Sequence, residues 1–331
     1  MKVSDIRPKK LIKKLEPILQ SDRKKWHAGK KDFIRVACPA CDSRKIKDPI
    51  VVRGMTFETC SDCETVFYNP RPTQDQLDDY YAKAESYVFW TEHIFPKTEK
   101  VRRENIFRPL VKKTISYLKD YNVKPDVLME VGAGFGIFCD EMKKSKFFKK
   151  IIAVEPVSKL AQRCRDKELE TIESSFETVN LPSESISCIV LFEVIEHLFS
   201  PKKLVQKSRY FLKKNGLLIF TCPNIKGFDF MVLGKKKAEN FGLEHINMFH
   251  PDSIKILLKR NGFKVLNITT PGKLDTDIVR NSALKGKFNI NKHPFLKRIL
   301  IDEWNQLGDK FQQFLSANNL SSNMMIVAQR K

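Results

Sequence analysis

The sequence predicts an α/β protein with a mostly parallel sheet, its last strand antiparallel, and a small cysteine-built module in front of it. Three observations predict this. From Asp126 onward, apolar segments of strand length alternate with amphipathic helical segments, the order that builds a parallel sheet with helices on both faces. The first of those strands runs into Glu130-Val-Gly132-Ala-Gly134-Phe-Gly136, a glycine loop that opens a helix. Ahead of both stand two short cysteine pairs, Cys38-Pro-Ala-Cys41 and Cys60-Ser-Asp-Cys63.

A chain of 331 residues accommodates one large α/β domain and a smaller module. It divides into a basic amphipathic helical segment (1–32), the cysteine module (33–72), a helical linker (73–122) and the α/β domain (123–331), which carries a helical insertion over 273–320. Lys and Arg outnumber Asp and Glu by 60 to 39, a formal net charge of +21. Such a field favours anionic partners: nucleic acid, phosphorylated small molecules or an acidic membrane surface. Lysine-rich solvated faces give the same balance without any partner. Apolar runs such as Cys188–Phe192 and Leu217–Phe220 are too short to cross a bilayer. The basic N-terminus has no signal-peptide core, so the expected location is cytoplasmic. Within it Leu11, Ile12, Leu15, Ile18 and Leu19 recur at helical spacing. That helix can make peripheral contact with anionic lipid, or pack its apolar stripe on its own protein.

Each cysteine pair turns two thiolates toward one ion from a tight turn, and two pairs complete a tetrahedral shell. Cys38, Cys41, Cys60 and Cys63 are therefore the expected ligands of a structural Zn²⁺ with no open coordination position. Ile50–Met55 and Thr56–Thr59, around Gly54, form the hairpin expected of a zinc ribbon. Two disulfides are the competing arrangement, which a cytosolic chain disfavours. Cys139, Cys164, Cys188 and Cys222 are scattered singly and read as core thiols.

In the larger domain the strands expected are Asp126–Val131, Lys150–Val154, Thr171–Ser174, Ile186–Val194, Gly216–Thr221, Phe263–Ile268 and Ser322–Ala328. Helices are expected over Gln74–Ala84, Lys97–Lys119, Ile137–Lys144, Pro201–Leu212 and Pro251–Asn261. The glycines let the backbone approach a ligand while the helix N-terminus offers free amides. A dinucleotide site would want GxGxxG and a phosphate. Glu130, just before the glycines, would repel a phosphate, which argues for S-adenosylmethionine (SAM) over NAD. Glu155 ends the second strand, where an acid can accept both ribose hydroxyls.

Glu130–Phe138, Ser174–Pro182 and Leu191–Leu198 (LFEVIEHL) together resemble the Rossmann-like class I SAM-dependent methyltransferases of the type 11, 12 and 23 groups. The cysteine pairs, followed by Phe67-Tyr-Asn-Pro-Arg-Pro72 and Tyr80-Tyr81, are similar to zinc-ribbon methyltransferases of surface-polysaccharide and sugar pathways. Glu244-His-Ile-Asn247 and Thr270–Val279 extend that likeness. The resemblance implies an enzyme that methylates oxygen or carbon of an anionic small molecule, a sugar or nucleotide-linked sugar. It implies that Gly132, Gly134 and Gly136 line the donor's methionine, Glu155 its ribose, and Ser175 and Phe176 its adenine, with Glu130 and Phe192 completing the site. The chain departs from the pattern at Ser175 and Ser187, where relatives carry Asp. His245 beside Glu244 matches an acid–histidine pair that supplies a base, and His197 points toward the same cleft by topology. His250, before Pro251, reads as a helix start. A His of near-neutral pKa suits removal of an acceptor proton.

The insertion is expected to hold helices over Pro294–Leu300 and Asp302–Ala317 and to bring Asp275, Asp277 and Arg280 toward substrate. Two other classes stay open. One is an RNA methyltransferase, which the ribbon and the basic charge fit but which lacks the Pro-Pro-aromatic motif that grips a base amine. The other is a non-catalytic SAM-fold subunit, against which the intact donor residues speak.

Overall fold

A computed structural model describes residues 1–28, 32–234 and 245–331. Seven strands form the main sheet: β4 (Val127–Val131), β5 (Lys150–Val154), β6 (Glu170–Ile172), β7 (Ile186–Phe192), β8 (Leu212–Pro223), β10 (Phe263–Thr269) and β11 (Asn323–Arg330). Their spatial order is β10-β11-β8-β7-β4-β5-β6. The pairs β4–β5, β4–β7, β5–β6 and β7–β8 are parallel. Strand β11 enters antiparallel between β8 and β10, the antiparallel last strand the sequence predicts, and leaves β10 at the edge. Helices cover both faces, which is why β7 reads as an apolar run broken only by Ser187 and is buried up to its last residue. Cys188, Val190 and Leu217 pack on one face; Ile189, Leu191 and Phe220 pack on the other.

The cysteine module is a second sheet of β1 (Ile46–Val52), β2 (Met55–Cys60), β3 (Val66–Tyr68) and β9 (Asn247–Met248), in that order. Val52 pairs with Met55 across Arg53-Gly54, both at positive φ (51° and 79°). This is the backbone a two-residue hairpin requires. Its fourth strand comes from the large domain: Val66 pairs with Met248 and Phe67 with Asn247. The expected hairpin is present, with Met55 opening its second strand and not closing its first, and its sheet is stitched into the larger domain.

The expected helix Lys97–Lys119 is broken. Phe95–Arg102 and Arg108–Asp120 are α-helical, and Arg103–Phe107 between them is a π turn. At that turn Arg103 reaches Asp140 (2.5 Å), Glu141 (2.6 Å) and Glu99 (2.7 Å), and Arg108 Nε reaches Glu141 at 2.8 Å. Asp140 and Glu141 lie on the helix that follows the glycine loop. The linker is therefore tied by partly buried ion pairs to the helix that positions the loop.

The basic N-terminal helix Lys9–Ala28 buries Leu15, and Asp22 accepts from the Ser86 amide at 2.8 Å. The short helix ahead of it is pinned by Val3 N to Asp277 Oδ2 (2.9 Å) and by Arg102 Nη2 to the Ile6 carbonyl (3.1 Å). The insertion forms Asp275–Leu284 and Trp304–Ala317, and a short Pro294–Lys297 helix that runs on into a π turn over Arg298–Asp302. These pack on Phe228 and Leu233. Asp275, expected to face substrate, is buried instead and accepts from Ser322 N and Gln312 Nε2. Asp277 holds Val3, and the Arg280 guanidinium lies 4.8 Å over the Trp304 ring. The insertion spends these three side chains on its own packing and on the N-terminal segment. Among the described residues no helix is long and apolar enough to cross a membrane.

Candidate active site

Strand order reverses between β4 and β7, and ligands of open α/β sheets bind outside the strands' carboxyl ends at such a point. Two segments meet there. The glycine loop leaves β4, with Gly132, Gly134 and Gly136 all at positive φ. The Glu193–His197 turn leaves β7. A Cβ on Gly132 would lie 2.8 Å from Val194 Cγ2, so the two segments are in direct contact. A Cβ on Gly136 would strike Leu169 at 2.8 Å and Cys164 at 3.0 Å, whereas one on Gly134 would meet no atom within 4 Å. Gly136 is required by packing. Gly134 faces open space at the helix N-terminus, where a ligand can approach the backbone.

Glu155 is buried at the tip of β5, and its two oxygens accept from Gly134 N (2.8 Å) and Val157 N (3.0 Å). Each oxygen keeps a further lone pair for a donor's hydroxyl. Burial raises its pKa, while those two amides oppose the shift. Glu130 is buried too and accepts from Cys139 Sγ at 3.0 Å; desolvation pushes its pKa up to about 8. A carboxyl held that high carries less negative charge at neutral pH than an ordinary glutamate, so it repels a phosphate less than the sequence alone suggests. A cationic donor would favour the ionised form, so binding should release a proton below pH 8. Affinity for SAM is then expected to rise with pH toward 8, by at most about tenfold per unit, and to level off above it. Calorimetry in buffers of different ionisation heat reads that proton directly.

The other expected donor contacts are placed as follows. Ser175 is half-buried and precedes a short 3₁₀ turn, its hydroxyl 3.3 Å from that of Thr178. Phe176 turns its ring into the core against Phe211 (5.9 Å), and Phe192 packs on Phe138 (4.8 Å). The linker roofs the loop: Phe95 stacks on Phe135 at 5.1 Å, and Tyr87 joins Phe135 and Val157 in one apolar cluster. Sequence reading singled out neither Phe95 nor Tyr87, since only their docking on the glycine loop marks them.

Across the cleft, His197 and His245 meet with ring centroids 4.7 Å apart, and Tyr81 abuts His197 at 6.3 Å. Glu244 lies outside the described residues. Glu196, one residue before His197, is fully buried, and its Oε1 sits 3.7 Å from His197 Nε2. Desolvation, and then nearby Glu193, hold its carboxyl well above the ordinary range. Glu193 accepts from Asn323 Nδ2 at 2.8 Å. Both acids belong to the EVIEH run, where their three-residue spacing was the only sequence signal of a shared role.

The ribbon fixes this cluster. Tyr68 N donates to the Ile246 carbonyl (3.0 Å), and Ile246 N donates to the Glu196 carbonyl (3.1 Å). Arg71 Nη1 donates to the Phe199 carbonyl at 3.1 Å. His250 caps its helix as expected, and its Nε2 also lies 2.9 Å from the Cys63 carbonyl. The four thiols of Cys38, Cys41, Cys60 and Cys63 gather within 4.8 Å of one another. Cys38–Cys63 and Cys41–Cys60 are 3.4 and 3.5 Å apart, far beyond a disulfide. A tetrahedral Zn–S shell needs sulfurs roughly 3.8 Å apart, so the four residues fit a structural zinc ion after a small expansion.

A doubly wound sheet with this glycine loop, an acid at the second strand's tip and a polar cluster facing the loop defines a Rossmann-like donor-binding domain. The chain belongs to the methyltransferase-domain family, whose sequence model matches residues 102–268, about half of it. Curated relatives from two strains of Mycobacterium tuberculosis, each named a probable S-adenosylmethionine-dependent methyltransferase, are 28% identical over 99 residues. That match covers 29% of this chain and 35% of the relatives' length. Similar solved structures include a SAM-dependent methyltransferase from Archaeoglobus fulgidus, at 19% identity and TM-score 0.46, covering 72% of this chain and all of that one. Another, from Mesorhizobium loti, has 12% identity and TM-score 0.45, covering 69% of this chain and all of that one.

Proposed function

We propose that the chain is a SAM-dependent methyltransferase acting on an anionic small molecule, a sugar or nucleotide-linked sugar of surface-polysaccharide biosynthesis. The observation that carries the reading is the contact between Gly132 and Val194, which sets the donor loop against the turn bearing His197. Methyl transfer is an in-line displacement and needs donor and acceptor aligned. The acceptor must also lose a proton, which the His197–His245 pair, with Glu244 next in the chain, would assist. A net charge of +21 supports an anionic acceptor. It equally fits RNA, but the chain lacks the Pro-Pro-aromatic motif that grips a base amine.

The test incubates the protein with labelled SAM and pools of nucleotide sugars and of RNA, tracking added methyl mass. Methylated nucleotide sugar is expected, and His245→Gln should cut its formation by about a hundredfold with SAM binding kept. Methyl mass appearing in RNA instead would overturn the acceptor class.

A further inference from the structure

We infer that Glu196, His197 and His245 hold a divalent cation beside the donor loop, and that this cation takes an oxygen of the methyl acceptor as a further ligand. The inference rests on the methyl-transfer reading above and adds to it a metal centre separate from the four cysteines. One ligand atom from each of the three residues lies within 4.8 Å of the others. Ligand atoms about 2.0–2.2 Å from one ion stand no more than roughly 4.4 Å apart, so a small closing movement of the three side chains brings them all onto a single ion.

Glu196 is the second, independent observation. Its carboxyl is fully buried, and neither oxygen has a hydrogen-bond partner among the described residues. A buried acid left unpaired costs about 1–3 kcal/mol or more, so such a group calls for a partner. His197 Nε2 lies 3.7 Å from its Oε1, beyond hydrogen-bond reach. An ion between them would satisfy the acid.

The backbone holds these ligands in place without help from a metal. His197 N bonds the Val194 carbonyl at 3.0 Å, Ile246 N bonds the Glu196 carbonyl, and Asn247 Nδ2 bonds the Leu198 carbonyl at 2.7 Å. The two chain segments that carry the ligands are thus cross-linked on both sides of the cluster. Two imidazoles and one carboxylate suit first-row divalent ions and leave coordination positions open, unlike a closed shell of four thiolates. Glu193, on the same turn, is exposed and accepts instead from Asn323 Nδ2 at 2.8 Å.

The chemistry balances with no redox change. With His197 and His245 holding the ion, they assist the acceptor's loss of a proton through it and not as bases: an acceptor hydroxyl bound to the ion acidifies and gives its proton to solvent. The oxygen's electron pair then attacks the methyl carbon of SAM. The C–S bond breaks and its pair stays on sulfur, leaving S-adenosylhomocysteine and the methylated acceptor.

Mn²⁺ is the probe, because a hard ion avoids thiolates. The full chain, its cysteine-bound metal checked by metal analysis, is titrated with Mn²⁺ and the free-ion EPR signal is followed. About one Mn²⁺ per chain is expected, with unchanged cysteine-bound metal. Glu196→Gln and His245→Ala should each weaken it by about tenfold or more, with SAM binding retained. The more exposed His245 keeps the test valid if the buried variant misfolds. Absent binding, or equal binding by all three proteins, overturns the cation site. A chain that binds SAM without Mn²⁺ loses the cation and keeps the methyl-transfer reading. One that binds Mn²⁺ at these residues without SAM keeps the cation and loses the reading.

Discussion

Cys60→Ser is expected to abolish methylation of the acceptor, cutting turnover by about a hundredfold or more, while the parallel sheet stays folded. Cys60 is fully buried and ends β2. Replacing a thiolate by a hydroxyl removes one of four soft ligands, and binding of a structural zinc is itself folding free energy, about 10–16 kcal/mol in small zinc modules. The ribbon would loosen with the metal. Because β3 pairs with β9, and Tyr68 and Cys63 bond the Ile246 carbonyl and His250, the loosened ribbon would release the segment that carries His245. Displacement of such a group by about 1 Å can cost a hundredfold in rate. Metal analysis, turnover and SAM calorimetry on one preparation check this. Metal-free protein with near-normal turnover would show that the ribbon and the cluster are independent.

The second large effect separates two neighbouring glycines. Gly136→Val places a branched side chain at φ 66°, against Leu169 and Cys164. Left-handed strain of about 1–2 kcal/mol adds to overpacking of about 1–3 kcal/mol, so the melting temperature should fall by several degrees along with SAM affinity. Gly134→Val carries similar backbone strain at φ 56°, but its Cβ meets no protein atom within 4 Å. It should lose SAM affinity by about a hundredfold or more with a smaller thermal shift, since its side chain would occupy the space left for the donor. Thermal melts with and without SAM distinguish the two. Equal melting shifts and retained SAM binding by Gly134→Val would place the donor elsewhere.

Most strands of the main sheet were legible as apolar runs between turn signals: Lys150–Val154 has the expected bounds, and β4, β7 and β10 differ by one or two residues, whereas β8 starts four residues before the expected Gly216, through the polar Lys213–Asn215. Strands β3 and β9 were not, since two or three residues carry no periodicity and their pairing spans the chain from Val66 to Met248. The π turn at Arg103 answers to acids on a helix more than thirty residues away, which local helix propensity cannot register. The cysteine cluster was readable from spacing alone, because two CxxC turns dictate convergence. Glu196 was not: within LFEVIEHL it reads like any acid of a strand-end turn, and only the packing of Ile246 and Asn247 over it reveals an unpaired buried carboxyl. The aromatic roof over the glycine loop was hidden for the same reason, as Phe95 shows no signal before it meets Phe135.

The central claim is that the crevice between β4 and β7 binds SAM through the glycine loop. Calorimetric titration of SAM into the intact chain tests it most directly. One SAM per chain is predicted, displaced by S-adenosylhomocysteine and lost in Gly134→Val; no heat of binding, or binding unchanged by that substitution, would contradict it.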